Sequence, residues 1–106
     1  MSASVNAHDA ARDWTFLSNH AHVLLALATD LDPLLREIAD RVGITERAVQ
    51  NILADLEEEG LVKRERVGRR NHYLLDLDQP LRHPLEAHRS VRQLVEFASA
   101  ARRRAR

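Results

Sequence analysis

The chain has 106 residues, 44% of them apolar and 30% charged, with 16 Lys+Arg against 16 Asp+Glu. Those totals suit one globular domain with a modest core, not a disordered or fibrous chain. With Cys 0, disulfides and thiolate metal sites are excluded, and the longest apolar run, VLLALA (Val23 to Ala28), is far shorter than a membrane span.

Residues 1–13 open the chain without the basic segment and apolar run of a secretion signal, so a cytoplasmic protein is expected. Trp14, Leu17, Ala21, Leu24 and Ala28 then recur at spacings of three and four. They predict an amphipathic first helix over 14–29. Asp30-Leu31-Asp32-Pro33 stops it, because proline restricts the residue before it.

A shorter helix follows, with Leu34, Leu35, Ile38, Ala39 and Val42 as its apolar stripe and Gly43 as its end. The next helix begins almost at once. Thr45 is a good N-cap, Glu46 suits the positive end of the helix dipole, and Val49, Ile52, Leu53 and Leu56 mark the buried face. Two helices joined by Gly-Ile-Thr have the spacing of a helix-turn-helix, here over 34–60.

After Gly60 the period changes to two. Apolar residues Leu61, Val62 and Val67 precede Gly68, and Tyr73, Leu75 and Leu77 alternate beyond it. That pattern predicts a β-hairpin over 61–77. Pro80 and Pro84 break the chain. Ala87, Val91, Leu94, Ala98 and Ala101 then predict a last helix over 85–101, followed by a basic tail over 102–106.

The fold class expected is mainly α with a small β-hairpin (α+β). The stretch LREIADRVGITERAVQNILADLEEEGLVKRERVGRRNHYLLD resembles the winged helix-turn-helix of bacterial and archaeal transcriptional regulators of the ArsR/MarR kind. Gly60-Leu61-Val62 matches that family's lead into a basic wing, and Gly68-Arg69 with Tyr73-Leu74-Leu75 matches its ending. The resemblance covers about residues 34–77. It implies a winged helix with flanking N- and C-terminal helices, and binding of double-stranded DNA.

The residues themselves point the same way. The formally neutral chain hides a split: residues 1–60 hold four Arg against eleven acids, and residues 61–106 hold twelve Lys+Arg against five. A basic half suggests an anionic partner. On the recognition helix, Arg47 and Asn51 lie opposite the apolar face, with Gln50 on the flank. Arg pairs with guanine and Asn or Gln with adenine in the major groove. Asp55, Glu57, Glu58 and Glu59 suggest that the helix tilts its far end away from phosphate. Thr45, Arg47, Gln50, Asn51, Arg64, Arg66, Arg69, Arg70 and Asn71 are the DNA-contact candidates. Four to six phosphate contacts predict a log–log salt slope of roughly −4 to −5.

A homodimer is expected through the first and last helices, with Trp14, Leu17, Ala21, Leu24, Val91, Leu94 and Ala98 at the seam. One small domain alone reads too short a site. His20 and His22 do not share a helical face, and His83 and His88 are poorly spaced as ligands, so no metal site or cofactor is expected. No glycine-rich phosphate loop or His-Glu-x-x-His motif points to an enzyme. The sequence names no effector; one would have to sit between helices or at the dimer seam. Two other partners fit a basic winged helix: an acidic protein docking on it as an interaction module, or duplex RNA.

Overall fold

Ser18 decides where the first helix begins. Its hydroxyl oxygen accepts from the Ala21 N–H at 3.3 Å, so the helix, α1, runs Asn19–Thr29. The computed structural model describes residues 14–30 and 32–104, with side-chain environments through residue 99. The expected start at Trp14 is therefore corrected. Trp14 and Phe16 lie outside the helix, 71% and 91% exposed, and stack edge to face on each other. A segment that buries no apolar face gains too little to pass the helix nucleation barrier.

The buried face of α1 also differs from the expected one. Val23, Leu24, Ala26 and Leu27 are buried, whereas Ala21 and Ala28 are only half-buried. At 100° per residue the buried arc is centred roughly a third of a turn from the Leu17–Ala21–Ala28 line. The cause is tertiary: α1 packs against three other helices of the same chain, and the run VLLALA can bury a wide arc.

Helix α2 spans Leu35–Val42 and helix α3 spans Glu46–Glu58. The Leu34 N–H donates to the Glu37 carboxylate at 2.7 Å, which satisfies one of the free donors at the start of α2. Gly43 has φ 87°, a left-handed conformation that suits glycine, and its N–H and that of Ile44 both return to the Ala39 carbonyl. Thr45 caps α3 as expected, accepting from the Ala48 N–H at 3.0 Å. Gly43-Ile44-Thr45 is thus the turn of a helix-turn-helix.

Strands β1 (Val62–Val67) and β2 (Arg70–Leu75) pair antiparallel, with Val67 opposite Arg70. The loop between them is Gly68-Arg69, and Gly68 has φ 64°. A positive φ at the first loop residue belongs to the primed turns that match strand twist.

The last helix, α4, spans Val91–Arg104 rather than 85–101. Ser90 and Gln93 explain the shift. The Gln93 N–H donates to the Ser90 hydroxyl at 3.1 Å, and the Ser90 N–H donates to the Gln93 side-chain oxygen at 2.9 Å. This reciprocal capping box fixes the start of α4. Before it, residues 79–90 form a closed excursion. Leu81 N–H meets the Arg89 carbonyl and Val91 N–H meets the Gln79 carbonyl, while Leu85 stands 83% exposed on turns.

One core serves all these elements. Val23, Leu27, Ile38, Val49, Leu53 and Tyr73 are the largest fully buried side chains. Each buried aliphatic of this size contributes about 1.5–3 kcal/mol. No polar or charged residue is buried among the described residues. Helix α4 packs on α1 within the chain, through Val91 and Val95.

Candidate nucleic-acid interface

The core fixes the outward face of α3. Val49 and Leu53 have no exposed surface, and Ile52 and Leu56 are buried beside them. Arg47, Gln50 and Asn51 are exposed. Arg47 and Asn51 project opposite the buried stripe, on the first two turns. Thr45 is exposed at the helix start. Its oxygen is used by the cap, which leaves its O–H free to donate.

The acids at the other end of α3 have partners that the sequence did not reveal. His20 Nε2 lies 2.8 Å from the Asp55 carboxylate. Arg64 grips Glu57 with two hydrogen bonds, of 3.0 and 2.8 Å. Arg82 lies 3.4 Å from Glu59. The hydrogen bond from Arg64 holds the Glu57 carboxyl below the usual carboxylate range, and the same bond raises the Arg64 guanidinium. Three of the four acids are thus paired with cationic or imidazole side chains of the same chain, and Glu58 is the exception among the described residues.

The strand register sorts the cations of the wing. Arg64 pairs across the ladder with Tyr73, and Arg66 with Asn71. Cross-strand partners share a face. Tyr73 and Val62 are buried, so this face turns inward at the base of the wing. Arg64 therefore lies against α3, and Arg66 lies farther out, with its Nε donating to the Gly68 carbonyl at 3.3 Å. The opposite face carries Lys63, Glu65 and Val67 with Leu74, His72 and Arg70. Arg70 donates to the main-chain carbonyl of Asp32, and His72 bonds the Asp32 carboxylate. Arg69 stands exposed at the tip, and Asn71 is half-buried beside it. Lys63 and Arg69 have no side-chain partner among the described residues.

The expected dimer residues are divided. Leu24 and Val91 belong to the chain's own core. Leu17, Ala21, Leu24, Val91 and Leu94 line one cleft of about 540 Å³ between α1, the end of α3 and the 81–86 excursion. Ala98 lies on another side, with His22, Leu25 and Arg41. Trp14 is exposed. Among the described residues no helix is long and apolar enough to cross a membrane, and no group of three or more side chains could hold a metal ion.

A helix-turn-helix followed at once by a two-stranded hairpin defines a winged helix. The sequence profile of the MarR family matches residues 15–70, more than half of the chain, and the chain belongs to that family. No curated protein matches it. Among solved structures it is similar to a mutant ZitR of Lactococcus lactis in complex with DNA. The identity is 28% and the TM-score 0.50, over 61% of this chain and 46% of that one. This chain therefore spans less than half the length of ZitR. The antimony-specific transcriptional repressor AntR is similar over 98% of this chain and 97% of its own, at 18% identity and TM-score 0.52, which establishes a common fold.

Proposed function

We infer that this protein is a sequence-specific, double-stranded DNA-binding transcriptional regulator that acts as a homodimer. One observation carries the reading. Arg47, Gln50 and Asn51 stand exposed on the first two turns of α3, while three of the four acids at its far end are paired with His20, Arg64 and Arg82. The helix thus offers base-reading side chains at the end that enters a major groove. Its repulsive end is partly neutralised. Lys63, Arg66 and Arg69 on the wing supply phosphate contacts. Arg64 and Arg70 hold the wing to the body instead. Membership of the MarR family and the DNA complex of ZitR support the reading.

The homodimer is supported by large apolar side chains that stand exposed among the described residues. Phe97 and Leu85 are each 83% exposed, and Trp14 and Phe16 are more than two-thirds exposed. Trp14 and Phe16 stack on each other and so form one apolar patch, the kind of feature that marks an interaction surface. The seam drawn from the sequence thus moves outward, from Leu24 and Val91 to Trp14, Phe16 and Phe97.

The test is fluorescence anisotropy of a labelled mixed-sequence duplex across salt, with duplex RNA and an acidic polypeptide as competitors. Binding that weakens with salt and yields to DNA competitor is the expected result. Competition by the acidic polypeptide alone would make the chain an interaction module, and competition by RNA alone an RNA-binding protein.

A further inference from the structure

We propose that Asp32 is a positioning residue for the wing, gripping β2 so that the outer half of the hairpin is presented at a fixed angle beside α3. The consequence for DNA rests on the reading above; the grip itself does not.

The geometry is specific. Asp30 and Asp32 flank the turn into α2, and Asp30 Oδ1 accepts from the Asp32 N–H at 3.0 Å. This sets the loop, with Pro33 buried behind it. From that loop Asp32 reaches 38 and 40 residues along the chain. Its main-chain oxygen accepts from Arg70, and its carboxylate accepts from His72. Arg70 and His72 are two apart on β2 and so lie on one face of the strand. One residue thus holds two successive side chains of the same face.

The outer hairpin needs such a hold. A two-stranded hairpin alone is marginal in water. The base of this one is anchored, because Val62 and Tyr73 are buried and Arg64 is bound to Glu57. Beyond Arg64, no apolar residue of the wing is buried, and Val67 is 62% exposed. The bonds to Asp32 are the only side-chain hydrogen bonds, among the described residues, from that outer half to the helical body. They fall on the element just before the helix-turn-helix, so the wing and α3 share one frame.

The electrostatics argue that this is more than a surface pair. Asp32 adds a negative charge among the cations of the wing, and Glu65 lies across the ladder from His72. A surface built only to collect phosphates would omit both. Asp32 gives up part of that attraction and fixes position in exchange.

The experiment compares the full chain with Asp32→Ala, Asp32→Asn, His72→Ala and the Asp32→Ala/His72→Ala pair. In the free protein, amide hydrogen exchange of residues 66–72 is expected to quicken about five-fold in Asp32→Ala and in His72→Ala, the size expected for one lost hydrogen bond. Asp32→Asn keeps an acceptor for the imidazole N–H and should stay near wild type. In duplex binding, Asp32→Ala should weaken affinity about three- to ten-fold at fixed salt, with an unchanged salt slope. The double variant should be no worse than the poorer single, since both remove one interaction. Wing exchange that stays at the wild-type rate in both single variants would overturn the grip, whatever happens with DNA. Tighter binding and a steeper slope in Asp32→Ala would overturn the positioning role, because Asp32 would then act only as a repelling charge. Failure of wild type to bind any duplex would remove the DNA reading, while the exchange data would still decide the grip.

Discussion

Arg64 and Arg69 stand five residues apart in the same wing, and the structure separates their roles. Arg69 is exposed at the tip and has no side-chain partner among the described residues. On the proposed DNA-binding reading, replacing it with alanine removes one phosphate contact per protomer. The log–log salt slope should then become shallower by about 0.9 per protomer, or about 1.8 for a dimer, and at 0.15 M salt each lost contact costs about five-fold in affinity. Arg64 is bound twice to Glu57, with both side chains about one-third exposed. After discounting for solvent, that pair contributes about 0.5–1 kcal/mol to stability. Arg64→Ala should therefore lower the melting temperature by about 2–5 °C for a domain of this size, and leave the salt slope unchanged. The assay is duplex anisotropy between 50 and 300 mM salt, beside thermal melts by circular dichroism. Equal flattening of the slope in both variants would refute the argument, because Arg64 would then be a phosphate contact like Arg69. With Arg64 and Arg70 bonded to the body, the wing offers Lys63, Arg66 and Arg69, and these alone predict a slope of roughly −3 per protomer.

Four further outcomes follow. The Arg64 hydrogen bond lowers the Glu57 carboxyl, so that pair stabilises the fold above the unfolded carboxylate range and loses its effect as pH falls through the folded value; melts from pH 6 to pH 3 should fall less steeply in Glu57→Gln than in wild type. Asp78 behaves alike, lowered by its hydrogen bonds to Arg92, so Asp78→Asn should flatten the same acid limb further. Ser90→Ala removes one half of the capping box of α4 and should cost about 1 kcal/mol, read as a drop of several degrees in the melt with DNA affinity retained. Phe97→Glu puts a charge in place of the exposed phenyl ring of α4 and should shift the light-scattering mass of a dimer toward the 12.1 kDa of one chain; an unchanged dimer would place the interface elsewhere.

Local signals carried much of the fold. Thr45 names the start of the recognition helix, and Gly43 names the end of the helix before it. Alternation about Gly68 names the hairpin, because each of these acts through its own backbone and nearest neighbours. The exposure of Arg47, Gln50 and Asn51 was legible too, since four apolar residues at helical spacing leave only one side for water. What the sequence could not decide was anything set by elements meeting across the fold. The first helix starts at Ser18 rather than Trp14, because Ser18 caps it there and the arm before it leaves Trp14 and Phe16 exposed. Leu24 and Val91 read as seam residues until α1 and α4 met inside one chain and took them into the core. Arg64, Arg69 and Arg70 were equivalent cations in the sequence. The strand register turned Arg64 toward Glu57 and Arg70 toward Asp32, leaving Arg69 at the tip without a side-chain partner among the described residues. Those partners lie 7 to 38 residues apart, and no local period encodes them. Composition determined that the wing would be basic; the packing of the hairpin against α3 and the Asp32 loop decided which of its charges face outward.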